Sequence, residues 1–302
     1  MKSLRPFDPV IRLATSGLLF WTDHIYRDGY RIQQHSQTGN WRLLDPADRR
    51  VVSGSLDQCQ TSLDQLSDRE AWNRIEEPFV VLLHGLMRTS HCMSKMQRWL
   101  ENAGFKNVLR FSYASSRASI IDHGSALCEY VESLPVHSKL SFVGHSMGNI
   151  VLRASIGNWS LSPSAASILS RMHRVVMLGP PNQGAAIARR LAQTRLFGLI
   201  HGPGGMELGA RWADISDKLG TPPCLFAIVA GDRSGHLLQN PLVAGASDFL
   251  VSVEEAKLGG AADMKLLPLR HTTLMTDKRV LQYVTSFLQQ RENQTPPSHA
   301  IA

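Results

Sequence analysis

Ser146 stands in the stretch Gly144-His145-Ser146-Met147-Gly148, with an apolar run at 140–143 before it and a helix-patterned run at 149–154 behind it. G-x-S-x-G at a strand-to-helix turn is the pattern that lifts a serine hydroxyl clear of the backbone as a nucleophile. Bulky side chains two residues to either side would collide across so tight a turn, and Gly144 and Gly148 leave the room. The helix that follows points its first N–H groups toward the serine, where a developing oxyanion would sit. The chemistry implied is acyl transfer through a covalent acyl-serine.

Such a serine needs a base, a carboxylate to orient the base, and a second oxyanion donor. After the apolar run at 79–83 comes His84-Gly85-Leu86-Met87-Arg88. Gly85 lets the chain turn so that the Leu86 N–H faces the serine and pairs with that of Met147 as a two-donor hole. His84 reads as a residue that bonds its own loop. His271 follows the last apolar run, 264–267, and is the best placed base: His91, His123 and His137 precede the serine, His145 lies within the motif, and His201 and His236 lie elsewhere. Two aspartates compete as the orienting acid. Asp248, in an apolar setting before Ser252-Val-Glu-Glu255, is preferred over Asp232, which has Arg233 at its side. Glu255 reads as the capping-box partner of Ser252.

Positioning these groups requires a sheet. Short apolar runs at 79–83, 107–113, 140–143, 174–178, 224–229 and 264–267 alternate with helical patterns at 92–102, 120–134, 146–156 and 277–291. That alternation predicts an α/β domain over 77–291, with a mostly parallel sheet covered on both faces. Every candidate residue then falls beyond the carboxyl ends of strands. Residues 185–222 show no strand pattern and read as a cap over the serine, with Leu196, Phe197, Leu199, Ile200, Met206 and Leu208 lining an acyl pocket or forming the segment's own core. Residues 1–76 read as an N-terminal extension packed on the core. In it, 9–26 form an amphipathic helix with Val10, Ala14, Gly17, Leu18, Trp21 and Ile25 on one stripe, followed by a hairpin turning at Thr38-Gly39-Asn40. The stripe docks on the protein itself or, alternatively, on a lipid surface. Residues 292–302 read as a flexible tail.

The 302 residues carry a net charge of +7. Residues 133–206 contain no Asp or Glu but hold Lys139, Arg153, Arg171, Arg174, Arg189, Arg190 and Arg195. This is either a solvated basic face or a field that favours anionic substrates. Aromatic and basic residues do not interleave as in a nucleic-acid groove, so no nucleic-acid partner is expected. Cys59, Cys92, Cys128 and Cys224 are scattered without metal-ligand spacing. They read as reduced thiols in a cytoplasmic chain, with no metal and no cofactor expected.

Taken together, the stretch from about 79 to 288 resembles the α/β-hydrolases of the bacterial lipase and esterase group. The likeness rests on His84-Gly85-Leu86, the Gly-His-Ser-Met-Gly motif, Pro180-Pro181-Asn182-Gln183-Gly184-Ala185, Asp248 with Val251-Ser252-Val253-Glu254-Glu255-Ala256, and His271. In such lipases the serine, an aspartate after the penultimate strand and a histidine after the last form a triad. The resemblance therefore implies Ser146, Asp248 and His271, with Leu86 and Met147 as oxyanion donors and an ester as substrate. A thioesterase or acyltransferase would use the same groups; a lipid-surface binding module is the reading from another class. Two positions depart from the group: Asn149 stands where a second glycine is usual after the elbow, and Phe249 where a glycine usually follows the acid.

Overall fold

The computed structural model describes residues 17–162, 165–191, 195–235, 240, 242, 243 and 245–290. Its larger sheet has six strands: β5 (Phe79–Leu83), β6 (Asn107–Phe111), β7 (Leu140–His145), β8 (Met172–Leu178), β9 (Leu225–Gly231) and β10 (Asp263–Leu267). The spatial order is β10-β9-β8-β7-β5-β6, and every neighbouring pair is parallel. The chain runs outward to β6 and then returns past β5 to β7, so the order reverses between β5 and β7. Ligand crevices of open α/β sheets lie beyond the carboxyl ends at such a switch point.

Strands buried on both faces should read as unbroken apolar runs, and β5, Phe-Val-Val-Leu-Leu, is buried at every position. Its residues alternate between two cores. Phe79, Val81 and Leu83 join Phe142, Val175, Met177, Phe226 and Ile228 on one face. Val80 and Leu82 join Val143, Val176, Leu178, Ala227 and Val229 on the other. Helices α4 (Ile120–Glu132) and α5 (Met147–Leu161) cover the first face, and α3 (Ser94–Asn102) and α10 (Lys278–Gln289) the second. The sequence expectation placed all six strands within two residues at each end. It ran the 146–156 helix five residues short of Leu161.

The expected helix over 9–26 is corrected within the described residues. After a turn at Leu18–Phe20, residues Trp21–Arg27 form a strand, β1; positions 10 and 14 lie outside the described residues. β1 pairs antiparallel with β2 (Tyr30–His35), β2 with β3 (Trp41–Leu44) and β3 with β4 (Arg50–Gly54), making a four-stranded sheet rather than a single hairpin. Asp28 and Gly29 join β1 to β2 with φ of 48° and 85°. Positive φ at both turn residues is the geometry an Asp-Gly pair gives a tight hairpin. A small core of Ile32, Leu43, Cys59 and Leu63 lies between this sheet and helix α1 (Leu56–Leu66), which a Ser55–Gln58 capping box starts. Helix α2 (Arg69–Asn73) follows and buries Trp72.

Helix α6 (Ala166–Arg171) leads into β8, and between β8 and β9 the chain forms α7 (Ala186–Leu191) and α8 (Arg195–Leu208). Helix α8 breaks at Gly202, whose φ is 66°, just before Pro203. Short 3₁₀ turns at Trp212–Asp214 and Ser216–Lys218 lead back to the sheet. The basic segment is not one surface. Arg174 is buried, and Arg153 is buried with its guanidinium on the carbonyls of Asn182 and Gly220. Arg171 binds the carbonyls of Pro135 and Ser138. No helix among the described residues is long and apolar enough to cross a membrane.

Candidate active site

Strand β7 ends at His145, and Ser146 precedes α5 with φ 54° and ψ −127°. Left-handed φ is costly for a residue with a Cβ, and the surroundings hold the serine there. Its N–H donates to the Leu178 carbonyl at 2.9 Å. Its own carbonyl accepts from the Asn149 side chain at 3.1 Å, and that amide also reaches the Leu178 carbonyl at 3.4 Å. The departure at position 149 thus braces the elbow. Neither flanking glycine tolerates a side chain. A Cβ on Gly144 would lie 2.2 Å from Asn149 Oδ1, and one on Gly148 would lie 2.6 Å from the His84 carbonyl oxygen.

The loop after β5 passes against the serine, because a Cβ on Gly85 would sit 3.1 Å from Ser146 Cβ. Among the described residues, the backbone N–H groups of Leu86 and Met147 donate to no protein acceptor. His84 points away from the chemistry. Its Nδ1–H donates to the Gly85 carbonyl at 2.9 Å and its Nε2 accepts from the Tyr113 amide at 3.4 Å. Burial pushes its pKa down to about 4, which keeps it neutral.

His271 begins a short 3₁₀ turn after β10 and is buried. Its Nδ1–H donates to Asp248 Oδ2 at 2.6 Å, and its backbone N–H donates to the Asp248 carbonyl at 2.9 Å. Asp248 Oδ1 accepts the amides of Leu250 and Val251 at 3.0 and 2.8 Å. The carboxylate is buried, and each oxygen has its own donors. This pairing fixes the imidazole proton on Nδ1 and leaves Nε2 as the basic nitrogen. Asp232 is not bonded to His271: its Oδ1 accepts the Ser234 amide at 2.8 Å in a local turn. Phe249 has φ 88°, the region a glycine would occupy, and its ring packs with the guanidinium groups of Arg233 and Arg270 at 5.1 and 5.6 Å.

Three supports escaped the sequence reading. His145 donates from Nε2 to the His271 carbonyl at 3.0 Å, tying the elbow to the base loop; burial and the nearby His271 hold its pKa well below the ordinary value. Glu255 completes the Ser252 capping box of α9 (Val253–Ala256) as the sequence reading has it, and beyond that reading it also accepts the Ala186 amide at the start of α7. Arg153 joins α5 to Asn182 in the loop after β8, and burial lowers its pKa to about 10. No local motif marks the first or the third; an arginine in an otherwise apolar helix face was the available signal for Arg153.

Ser146, His145 and His271 line one cleft of about 330 Å³. Its apolar wall comes from Leu86, Met87, Pro181, Ala185, Ile187, Ala188, Leu191, Leu208, Leu250 and Val251. Of the expected pocket residues, Met206 is half-buried against the main core and is not among those lining the cleft. The side chains of Leu196 and Phe197 lie outside the described residues. Among the described residues no Asp or Glu lines the cleft, while Arg88 and His201 do. No group of three or more His, Cys, Asp or Glu among the described residues could hold a metal.

Comparison with known proteins bears on the fold and on its first half. The family described as "Putative serine esterase (DUF676)" matches residues 75–180, which include Leu86 and Ser146 but end before Asp248. The mature lipase BlEst2 of Bacillus licheniformis aligns with a TM-score of 0.53 at 16% identity, covering 70% of this chain and 92% of that one. Phospholipase PlaB of Legionella pneumophila aligns with a TM-score of 0.53 at 15% identity, covering 72% of this chain and 60% of that one. A Listeria innocua gene product aligns with a TM-score of 0.50 at 14% identity, over 73% and 97% of the two chains. A search of curated protein sequences gives no match. The chain has the α/β-hydrolase fold.

Proposed function

We propose that the chain is a serine carboxylic-ester hydrolase acting through an acyl-serine. The observation that carries this is the buried Asp248–His271 pair opening onto the cleft that also holds Ser146 in a strained elbow. His271 Nε2 takes the Ser146 proton as Oγ attacks the ester carbonyl, and the imidazolium is stabilised by Asp248. The amides of Leu86 and Met147 hold the tetrahedral oxyanion, each worth about 3 kcal/mol of barrier. His271 returns the proton to the departing alcohol, then activates a water that releases the acid. The 185–222 segment acts as a cap, supplying Ala185, Ile187, Ala188, Leu191 and Leu208 to an apolar acyl pocket.

Hydrolysis of p-nitrophenyl butyrate by the wild type and by Ser146→Ala tests this reading. The expected result is a loss of at least about 10³-fold in kcat with an unchanged circular dichroism spectrum. Equal turnover by the variant would remove Ser146 from the mechanism. Lipid esters at an aqueous surface remain within the substrate class, because Met87 at 48% and Leu250 at 38% exposure stand at the cleft.

A further inference from the structure

The small N-terminal sheet has no part in the triad, and the family match at 75–180 begins after it. Yet β1 is stitched to the segment that follows β6. Asp23 N–H donates to the Ser112 carbonyl at 2.8 Å, and the Ser112 amide returns a bond to Asp23 Oδ2 at 2.7 Å. Next along, the Ala114 amide donates to Thr22 Oγ1 at 3.1 Å. The Asp23 carboxylate is fully buried and is itself fixed on Oδ1 by Gln33 at 2.6 Å and Arg31 at 3.4 Å, both from β2.

That same segment, 112–115, grips the oxyanion loop along its length. At the loop's start, the Tyr113 amide donates to His84 Nε2, the Tyr113 hydroxyl donates to the His84 carbonyl, and the two rings stack with centroids 4.0 Å apart. Near its middle, the Ser115 hydroxyl reaches the Arg88 carbonyl at 3.4 Å. At its end, the Ser112 hydroxyl donates to Ser90 Oγ at 2.6 Å. Between these anchors lie Gly85, Leu86 and Met87, and Met87 holds φ 55°. A loop so bent keeps the Leu86 amide aimed at the serine only while both ends are held.

We infer that the N-terminal sheet is a positioning element for the oxyanion hole, with Thr22 and Asp23 as positioning residues that act on Leu86 through residues 112–115. This rests on the reading of Leu86 as an oxyanion donor. If β1 served only to cover the open side of β6, the outermost strand, cutting these bonds would cost stability and leave turnover by the folded protein intact. A positioning role predicts a loss in the transition state, because donor placement matters at the scale of 1 Å.

Thr22→Val removes one acceptor with no change of shape, and Asp23→Asn turns one of the two acceptor oxygens into an NH₂, so that either the Ser112 amide or the Gln33 and Arg31 pair faces a donor. The full-length variants would be measured for kcat and KM on p-nitrophenyl butyrate and for amide hydrogen exchange by peptide. The expected result is kcat lowered about 10- to 100-fold, KM within about twofold of the wild type, and faster exchange confined to 22–27, 84–90 and 112–115. Arg49→Ala, at the exposed turn between β3 and β4, should change neither reading. Unchanged kcat in both variants, or faster exchange spread evenly over the chain with turnover per folded molecule intact, would overturn the inference. A wild type inactive on every ester would sink the proposed function, and exchange at 84–90 would then decide the positioning role alone.

Discussion

The Asp248 carboxylate lies 2.6 Å, Oδ2 to Nδ1, from the His271 imidazole, while its other oxygen is held by two backbone amides. This division of labour makes the aspartate's chemistry separable from its fold role. In Asp248→Asn, the remaining oxygen keeps the Leu250 and Val251 amides. The new NH₂ faces Nδ1, forces the imidazole proton to Nε2, and leaves no lone pair for Ser146. We expect kcat to fall about 10³- to 10⁴-fold with a nearly unchanged unfolding midpoint. Asp232→Asn touches only the Ser234 turn and should stay within about twofold. Steady-state kinetics of the two variants, run side by side, decide which carboxylate serves the histidine.

Gly148 is the point where the elbow helix meets the strand that carries the 84–88 loop. A Cβ there would lie 2.6 Å from the His84 oxygen and 2.8 Å from that of Leu83, both backbone atoms that cannot rotate away. Gly148→Ala must therefore push α5 off β5, and overpacking of this kind costs about 1–3 kcal/mol. It also moves the Met147 amide relative to the Leu86 amide. The expected outcome is a lower midpoint in urea together with a loss of kcat beyond the loss of folded protein.

These two sites show what the sequence made legible. That the elbow, the loop at 84–88, Asp248 and His271 gather beyond the strand ends was readable because a strand end places each of them, and strands such as Phe-Val-Val-Leu-Leu carry no competing helical period. Asn149 was not readable, since its service to the Ser146 and Leu178 carbonyls depends on β8 lying beside β7. The N-terminal strand was misread because 18–25 fit a helical stripe as well as a strand. The Asp28-Gly29 turn signal, which settles the matter locally, was passed over. Tyr113 and Asp23 act through pairings with residues 29 and 89 positions away, which no local pattern records.

Phe249 offers a test of stored backbone strain. Its φ of 88° costs a residue with a Cβ about 1–2 kcal/mol, and its ring recovers part of this against Arg233 and Arg270. Phe249→Ala loses the ring and keeps the strain, whereas Phe249→Gly loses the ring and relieves it. Glycine's extra freedom in the unfolded chain offsets about 0.5–1 kcal/mol of that relief. The Gly variant should therefore be more stable than the Ala variant by about 1 kcal/mol, the reverse of the usual order. Paired urea titrations at one pH measure the difference.

Buried histidines set the acid limit. Burial pushes His84 down to about 4 and His123 to about 3, and holds His145 well below 6.5. In the unfolded chain all three titrate near 6.5. From that pH down to about 4 the unfolded state binds more protons than the folded one. Stability then falls as pH drops, at about 1.4 kcal/mol per pH unit for each histidine. Below about 4, His84 takes up its proton in the folded state as well, and its share of the slope ends. Asp23, whose carboxyl burial raises above 3.8 against the pull of Arg31, Gln33 and the Ser112 amide, acts in the opposite sense. Burial raises Glu132 and Glu207 as well, and they act in the same sense as Asp23. Urea midpoints between pH 7.5 and 4.5 should fall steadily, and His123→Leu should flatten that fall by about a third.

Charge at the cleft should bias its choice of ester. Among the described residues its lining holds Arg88 and His201 and no carboxylate, and Arg88 is exposed on the 84–88 loop. An exposed ion pair is worth up to about 1 kcal/mol, or about fivefold in binding. A nitrophenyl ester of a dicarboxylic half-acid should therefore show a lower KM than its neutral counterpart of equal length. Arg88→Gln should raise KM for the charged ester about two- to fivefold and leave the neutral one unchanged. Raising the salt concentration to 0.5 M should mimic the substitution in the wild type, since the screening length shrinks to about 4 Å. Equal KM values for the two esters, insensitive to salt, would show that Arg88 does not touch the bound substrate.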